Sequence, residues 1–279
     1  MATIRYSDDS RSTPPGRYSA SSQRKYREGE AALKRAYGPD PDQWVELFPP
    51  GGNPLGVAVI IHGGFWRAAY DASLGRPLAL DLVQRGWFAY NVEYRRVGRG
   101  GGWPTTLHDV ATAIDLLAEL NLDLTRVVAI GHSAGGHLAT WAAGRSDLPP
   151  SAPGAGPRVS LTGVISQAGV LDLRIGAAEG VGGSAILDFL GGDPLAVPQR
   201  YQWADPRARV PLPVPVVCVH SRCDESVPFG QSETYVAAAT EAGGVARLVE
   251  VEGDHMAHVD VRAPAWKAVL DELSQFASA

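Results

Sequence analysis

The stretch Gly131-His132-Ser133-Ala134-Gly135 follows a short apolar run, Val127-Val128-Ala129-Ile130, and precedes a segment that can continue as a helix. A Gly-x-Ser-x-Gly sequence between a strand and a helix is typical of a nucleophile elbow, a sharp and strained turn that presents a serine hydroxyl. Glycines beside the serine leave room where the strand and the helix crowd together. The pattern therefore predicts Ser133 as a nucleophile.

Apolar runs alternate with helical patterns on both sides of this turn. Strands are predicted near 57–61, 87–94, 127–130, 159–164, 215–220 and 246–251, and helices near 72–85, 105–120, 136–143, 231–242 and 263–276. Such alternation is typical of a mostly parallel sheet covered by helices on both faces. The sequence therefore predicts an α/β fold.

The chain has 279 residues, a length that one α/β domain can account for. Residues 1–48 are predicted to form an N-terminal arm with one helix over 21–37, and residues 49–279 to form the domain itself. Within the domain, the less regular segment 170–205 is expected to form a small cap or lid.

Composition narrows the classes of function. The apolar fraction is 45% and the formal net charge is −5, which favours a globular protein without a basic surface for nucleic acid. The apolar runs are too short to cross a bilayer and the first residues do not resemble a signal peptide, so a cytoplasmic location is expected. A homodimer is one expectation, with the N-terminal arm as a candidate contact.

No metal or cofactor is expected. The two cysteines, Cys218 and Cys223, are interpreted as structural thiols. His255-x-x-His258 is one residue short of the zinc-binding pair of zincins and lacks the accompanying glutamate.

A serine hydroxyl needs a base to take its proton, and the base needs an acid to hold one tautomer. Asp224 follows the predicted strand that ends at His220, and His255 follows the last predicted strand. The order Ser133, Asp224, His255 is the order in which a triad occurs on this kind of fold. Competing acids are Glu225 and Asp254, and the competing base is His258.

Stabilisation of a tetrahedral oxyanion usually needs backbone N–H groups aimed at it. One donor is expected from Ala134, directly after the serine, and another from the loop His62-Gly63-Gly64-Phe65, which follows the first buried strand. Phe65, Trp66 and Trp103 are candidates for pocket walls, with a place in the buried core as the alternative for each.

The segments His62-Gly63-Gly64-Phe65-Trp66 and Gly131-His132-Ser133-Ala134-Gly135-Gly136 resemble the arylformamidase (kynurenine formamidase) and carboxylesterase-like branch of the α/β-hydrolase superfamily. The segment Asp224-Glu225-Ser226-Val227-Pro228 is similar to the acid loop of prolyl-oligopeptidase-like proteins. The resemblance covers about 57–266. It implies an α/β-hydrolase fold, a triad of Ser133, Asp224 and His255, and oxyanion donors at Gly63, Gly64 and Ala134. Met256 stands where relatives often carry an aromatic residue and is a further candidate for substrate binding.

What the resemblance implies is a cofactor-free serine hydrolase that cleaves a small carboxylic ester or N-formyl amide through an acyl-enzyme. Two alternatives remain open at this point. One is a small-peptide serine peptidase, and the other is a non-catalytic ligand-binding protein on the same fold, because fold alone does not determine function.

Overall fold

The computed structural model describes residues 33–278. These residues are built around a single eight-stranded sheet. The strands lie in the order β1-β2-β4-β3-β5-β6-β7-β8. Strands β3 to β8 pair in parallel, whereas β1 and β2 pair antiparallel at one edge. Their bounds are Leu33–Ala36, Trp44–Phe48, Val57–Ile61, Phe88–Val92, Val127–His132, Gly163–Gln167, Val216–His220 and Ala246–Glu250, for β1 to β8.

Helices cover both faces of the sheet. Their bounds, for α1 to α8, are Arg76–Gln84, Thr105–Asp115, Ala134–Ala143, Leu173–Glu179, Ala185–Leu190, Pro198–Ala204, Gly230–Glu241 and Pro264–Ser278. Side chains of α1 and α8 form one core with the sheet, and side chains of α2, α3, α7 and the cap form the other. The central strands β3 and β5 are buried along their whole length, which explains their continuous apolar sequence. The predicted α/β-hydrolase fold is confirmed by this architecture.

The N-terminal part of the described chain differs from the sequence prediction. The helix predicted over 21–37 lies mostly outside the described residues, and its last part, Leu33–Ala36, is strand β1. Trp44–Phe48, assigned to the arm, is strand β2 and pairs with β4 inside the sheet. The helical prediction failed here because four exposed or half-exposed residues carry no clear periodicity, and pairing with β2 decides their conformation.

One strand is shifted relative to the prediction. The strand expected near 159–164 is Gly163–Gln167, and its second half contains Ser166 and Gln167. Both polar side chains are fully buried, so an apolar run alone could not locate this strand.

The segment 170–205, predicted to form a cap and here called the cap, contacts the loops that follow β3 and β4. Helices α4, α5 and α6 occupy most of 170–205. Arg67 donates hydrogen bonds to Ser184 Oγ at 3.1 Å and to Asp188 Oδ2 at 3.3 Å, and the Trp103 N–H donates to the Phe189 carbonyl at 2.7 Å. The division of the whole chain into arm and domain stays a prediction.

Within residues 33–278, none of the helices is both long enough and apolar enough to span a membrane.

Candidate active site

Ser133 lies in a strained turn between β5 and α3. Its backbone has φ 56° and ψ −120°, a conformation that costs a non-glycine residue free energy and persists only where its surroundings enforce it. A hydrogen bond of 2.8 Å from the Ser133 N–H to the Gln167 carbonyl ties the turn to β6. A strained backbone that the surrounding structure restrains in this way is typical of functional sites.

Glycine is required on both sides of this turn. A Cβ on Gly131 would lie 2.1 Å from the carbonyl oxygen of Gly135, and a Cβ on Gly135 would lie 2.0 Å from the carbonyl oxygen of Ile61. Both clashes are with backbone atoms, so no rotation of a side chain could relieve them. The elbow therefore needs glycine for close backbone approach, as the sequence pattern suggested.

The loops after β7 and β8 bring Asp224 and His255 together. The distance between His255 Nδ1 and Asp224 Oδ2 is 2.6 Å. Because the carboxylate can only accept, Nδ1 carries the proton, and Nε2 of the neutral ring is left with its lone pair. The arrangement is that of an acid that fixes the tautomer of a base.

Asp224 is held as a carboxylate. Burial works against its charged form, but hydrogen bonds from His220 and His255 and from the Val227 N–H outweigh burial and hold the Asp224 pKa well below its ordinary value. Its other oxygen, Oδ1, accepts from the N–H groups of Ser226 and Val227, both at 2.9 Å. The negative charge is thus available to His255 across the neutral pH range.

The competing acids and base have other places in the structure. Glu225 is exposed, and Asp254 Oδ1 accepts from the N–H groups of Met256 and Ala257, so that it caps the short turn of helix at His255–Val259. His258 is fully buried, and burial lowers its pKa to about 3. It is a neutral core residue.

Ser133 Oγ is buried and has no hydrogen-bond partner among residues 33–278. The loop after β3 is close by, since a Cβ on Gly63 would lie 3.0 Å from Ser133 Cβ. Within the same described part of the chain, the N–H groups of Gly63, Gly64 and Ala134 donate no hydrogen bond. Three free donors therefore lie on the two segments that meet at the serine.

A buried charge network anchors the Gly63-Gly64 turn from behind. His62 Nδ1 lies 2.8 Å from the Gly63 carbonyl oxygen and Nε2 lies 3.2 Å from Glu93 Oε1. Glu93 also accepts from the Ala72 N–H at 2.9 Å and pairs with Arg96. Since the C=O of Gly63 and the N–H of Gly64 belong to one peptide unit, holding the carbonyl orients the N–H.

The four aromatic or apolar pocket candidates have different surroundings. Trp66 is fully buried, so it belongs to the core rather than to a pocket wall, and its indole ring stacks on Phe189 with a centroid distance of 4.7 Å. Phe65 is half-buried against Gly182 of the cap. Trp103 is half-buried and stacks on Trp203 at 6.2 Å. Met256 is 46% exposed, next to His255.

Two further histidines connect the site to its frame, and the sequence reasoning gave them no role. His132 Nε2 donates to the His255 carbonyl at 3.0 Å, so the residue beside the serine holds the main chain of the base. His137 Nδ1 accepts from the Trp66 indole N–H at 3.2 Å, and its Nε2 donates to the Ala204 carbonyl at 2.9 Å. Their position in or beside the elbow stretch was the only available signal.

Among residues 33–278, no group of three or more His, Cys, Asp or Glu side chains is arranged to hold a metal ion.

The BD-FAE family model matches residues 47–238, more than half of the chain. Among curated proteins, Esterase LipQ of Mycobacterium tuberculosis is 28% identical over 205 residues, which cover 69% of this chain and 47% of LipQ. The chain spans about half the length of the curated relatives it matches.

Solved structures give the same fold at lower identity. A truncated carbohydrate esterase from gut microbiota is 19% identical with a TM-score of 0.73, covering 91% of this chain and 98% of that one. Esterase 2 of Thermogutta terrifontis is 24% identical with a TM-score of 0.69, covering 88% and 91%. That esterase has also been solved phosphonylated by sarin.

Proposed function

Because the chain belongs to the BD-FAE family, we propose that it is a cofactor-free serine hydrolase that cleaves a small carboxylic ester. The observation that carries the proposal is the 2.6 Å contact between His255 Nδ1 and Asp224 Oδ2. This contact lies at the carboxyl ends of the parallel strands, as the Ser133 elbow does. Cleavage of an N-formyl amide is the second activity of the proposal, and it rests on the His62-Gly63-Gly64-Phe65-Trp66 segment.

The proposed reaction has two halves. Ser133 Oγ attacks the carbonyl carbon while His255 Nε2 takes its proton, and the oxyanion is held by the N–H groups of Gly63, Gly64 and Ala134. The bond to the leaving group then breaks, and His255 returns the proton to the leaving oxygen or nitrogen. Water attacks the acyl-enzyme in the second half, again with His255 as base, and releases the acid and free Ser133.

Two properties of the site support this assignment. Asp224 stays ionised, so it can stabilise the imidazolium that forms during both halves. The Ser133 N–H is engaged by the Gln167 carbonyl of β6, whereas the Ala134 N–H donates to no described residue and is available to an oxyanion. The names of the relatives, which are esterases, favour an ester over an amide as the primary substrate.

Covalent labelling tests the chemistry without knowledge of the natural substrate. A fluorophosphonate is expected to add once to the wild-type protein, at the peptide that contains Ser133, and not to add to the Ser133→Ala variant. Absence of labelling on folded wild-type protein would favour the alternative of a non-catalytic binding protein.

Substrate competition then tests the acyl class. We expect a short-chain aryl acetate to have a higher kcat/KM than N-formylkynurenine, with Ser133→Ala as the blank. A preference for the formamide by about three orders of magnitude, roughly 4 kcal/mol of transition-state binding, would instead establish an arylformamidase. Cleavage of only a small peptide amide would support the peptidase alternative.

A further inference from the structure

His220 is a buried histidine that the mechanism above does not use. It ends β7, four residues before Asp224, and it has no exposed surface. From its contacts we propose that His220 is a positioning residue. It holds the loop that carries Asp224 in place, and its ring N–H faces the Asp224 oxygen that binds His255. The inference rests on the proposed function of Asp224 and His255.

The two ring nitrogens of His220 have different partners. Nε2 lies 3.1 Å from the Val227 carbonyl oxygen and 3.4 Å from Asp224 Oδ2. Nδ1 lies 2.8 Å from Ser232 Oγ on α7. His220 thus connects the end of β7, the acid loop and α7 at one point.

The identity of these partners assigns the proton on the ring. The Val227 carbonyl and the Asp224 carboxylate can only accept, so Nε2 must carry a proton. The Ser232 hydroxyl can both donate and accept, so it can pair with Nδ1 whether or not that nitrogen carries a proton. His220 therefore presents a fixed Nε2–H that donates to the Val227 carbonyl and faces Asp224 Oδ2.

This contact completes the surroundings of Asp224. Its Oδ1 is held by the N–H groups of Ser226 and Val227, while Oδ2 receives His255 Nδ1–H at 2.6 Å and faces His220 Nε2–H. Because His220 also binds the Val227 carbonyl, the same ring holds the peptide segment that grips Oδ1. Loss of His220 would loosen both oxygens of the acid.

The other titratable groups near the pair are histidines and one thiol. His258 faces His220 with a ring distance of 6.3 Å, and His132 faces His255 at 4.5 Å. Cys218 reaches His220 only through a shared contact with Ser232. Burial lowers the pKa of His132 and His258 and raises that of Cys218, so these three groups stay uncharged near neutral pH and do not mask a change at Asp224.

Two variants of His220 separate positioning from packing. His220→Leu fills much of the space but removes the N–H, and we expect kcat/KM for an aryl acetate to fall about ten- to hundredfold. With one donor gone, Asp224 becomes a stronger acceptor for His255, so the acid limb of the kcat/KM profile should move up by about half a pH unit. His220→Gln places an amide nitrogen at the position of Nε2 and should restore the wild-type limb and most of the rate.

Substitution of a histidine outside the site serves as the control. His108 is exposed on α2, and His108→Leu is expected to change neither the rate nor the pH profile. An unchanged rate and limb in His220→Leu would overturn the proposal. So would equal losses in the Leu and Gln variants with no displacement of the limb, because that result would describe a packing role alone.

A failure of the proposed function would look different. In that case the wild-type protein itself would hydrolyse no ester and would not label at Ser133. The test of His220 would then use the low-field proton resonance of the hydrogen bond between His255 Nδ1 and Asp224. The proposal predicts that this resonance moves in His220→Leu and returns in His220→Gln, and a resonance equal to wild type in both variants would overturn it.

Discussion

At the residue scale, the choice between adjacent carboxylates is decided by which one reaches His255. Asp224 is buried and in contact with the imidazole of His255. Glu225 is exposed and forms no ion pair with any residue in 33–278. Adjacent acids in a chain therefore have unrelated surroundings, because the turn after β7 directs one side chain inward and the next outward.

Replacing Asp224 by Asn should remove activity while preserving the fold. An amide nitrogen facing His255 Nδ1 favours the wrong tautomer of the ring, so kcat is expected to fall by about four orders of magnitude. The measurement is kcat for an aryl acetate at neutral pH. Glu225→Gln is the matched control and should stay within about twofold of wild type. Equal losses in the two variants would contradict the assignment of the acid.

At the scale of elements, the elbow is a close contact between β3, β5 and α3. The Gly135 backbone approaches the carbonyls of Ile61 and His62 so closely that even one methyl group cannot be inserted. This contact brings the serine and the Gly63-Gly64 turn to the same point.

Gly135→Ala is therefore expected to destabilise the protein strongly. Its Cβ would meet backbone oxygens at 2.0 and 2.6 Å. We expect the free energy of unfolding to fall by at least about 3 kcal/mol, measured by urea denaturation. In Gly51→Ala, where no atom lies within 4 Å of the added Cβ, the change should stay within about 0.5 kcal/mol. A Gly135→Ala protein as stable as wild type would show that strand and helix can separate at the elbow.

His137 joins three elements, since it lies on α3, accepts from Trp66 of the loop after β3 and donates to Ala204 of the cap. Burial lowers its pKa from 6.5 to about 4, although the hydrogen bond to Ala204 opposes the change. Between these two pH values the unfolded chain binds a proton that the folded protein does not. The free energy of unfolding therefore decreases as the pH falls through this range, and increases as it rises.

His137→Gln should flatten this dependence. Between about pH 7 and about pH 5, we expect wild type to lose roughly 2 kcal/mol more stability than the variant does. Urea denaturation at the two pH values provides the measurement, with His108→Gln on the exposed face of α2 as the control. Identical losses in wild type and His137→Gln would show that His137 can be protonated without disturbing the native contacts.

At the scale of the whole molecule, an ion network connects the N-terminal edge of the sheet to the candidate active site. Arg96 is buried between Glu93, which supports the Gly63-Gly64 turn through His62, and Asp42, which precedes β2. Its Nη2 lies 2.8 Å from Asp42 Oδ2. Part of the segment predicted to be an arm is thereby integral to the frame of the site.

Arg96→Ala should destabilise the protein far more than Arg99→Ala does. It leaves Glu93 without its arginine partner and Asp42 with only the exposed Arg99, and we expect a loss of about 3–5 kcal/mol in the free energy of unfolding. Arg99 contacts the same Asp42 at 3.0 Å, but its side chain is 55% exposed, so Arg99→Ala should cost less than about 1 kcal/mol. Thermal or urea unfolding of both variants makes the comparison, and similar costs would mean that Arg96 is solvated in solution.

The sequence predicted most of the architecture because the central strands are buried on both faces and the helices have one apolar face. The predicted strand near 57–61 and helix near 231–242, for example, agree with β3 and α7 within one residue. Prediction failed where periodicity was absent. The edge strand β1 carries exposed residues, and β6 contains buried Ser166 and Gln167 in place of apolar ones.

Local sequence by itself determined the elbow, since the glycines at 131 and 135 and the apolar strand before them act within a few residues of Ser133. It also predicted that Asp224 and His255 follow two strands whose carboxyl ends lie at the same end of the sheet as that of β5. Only the tertiary structure decided which carboxylate touches the imidazole, that Trp66 is a core residue, and that His62, His132, His137 and His220 surround the site. These are contacts between segments far apart in the chain, and whether a histidine is exposed, neutral or paired depends on burial and partners that no short stretch of sequence contains.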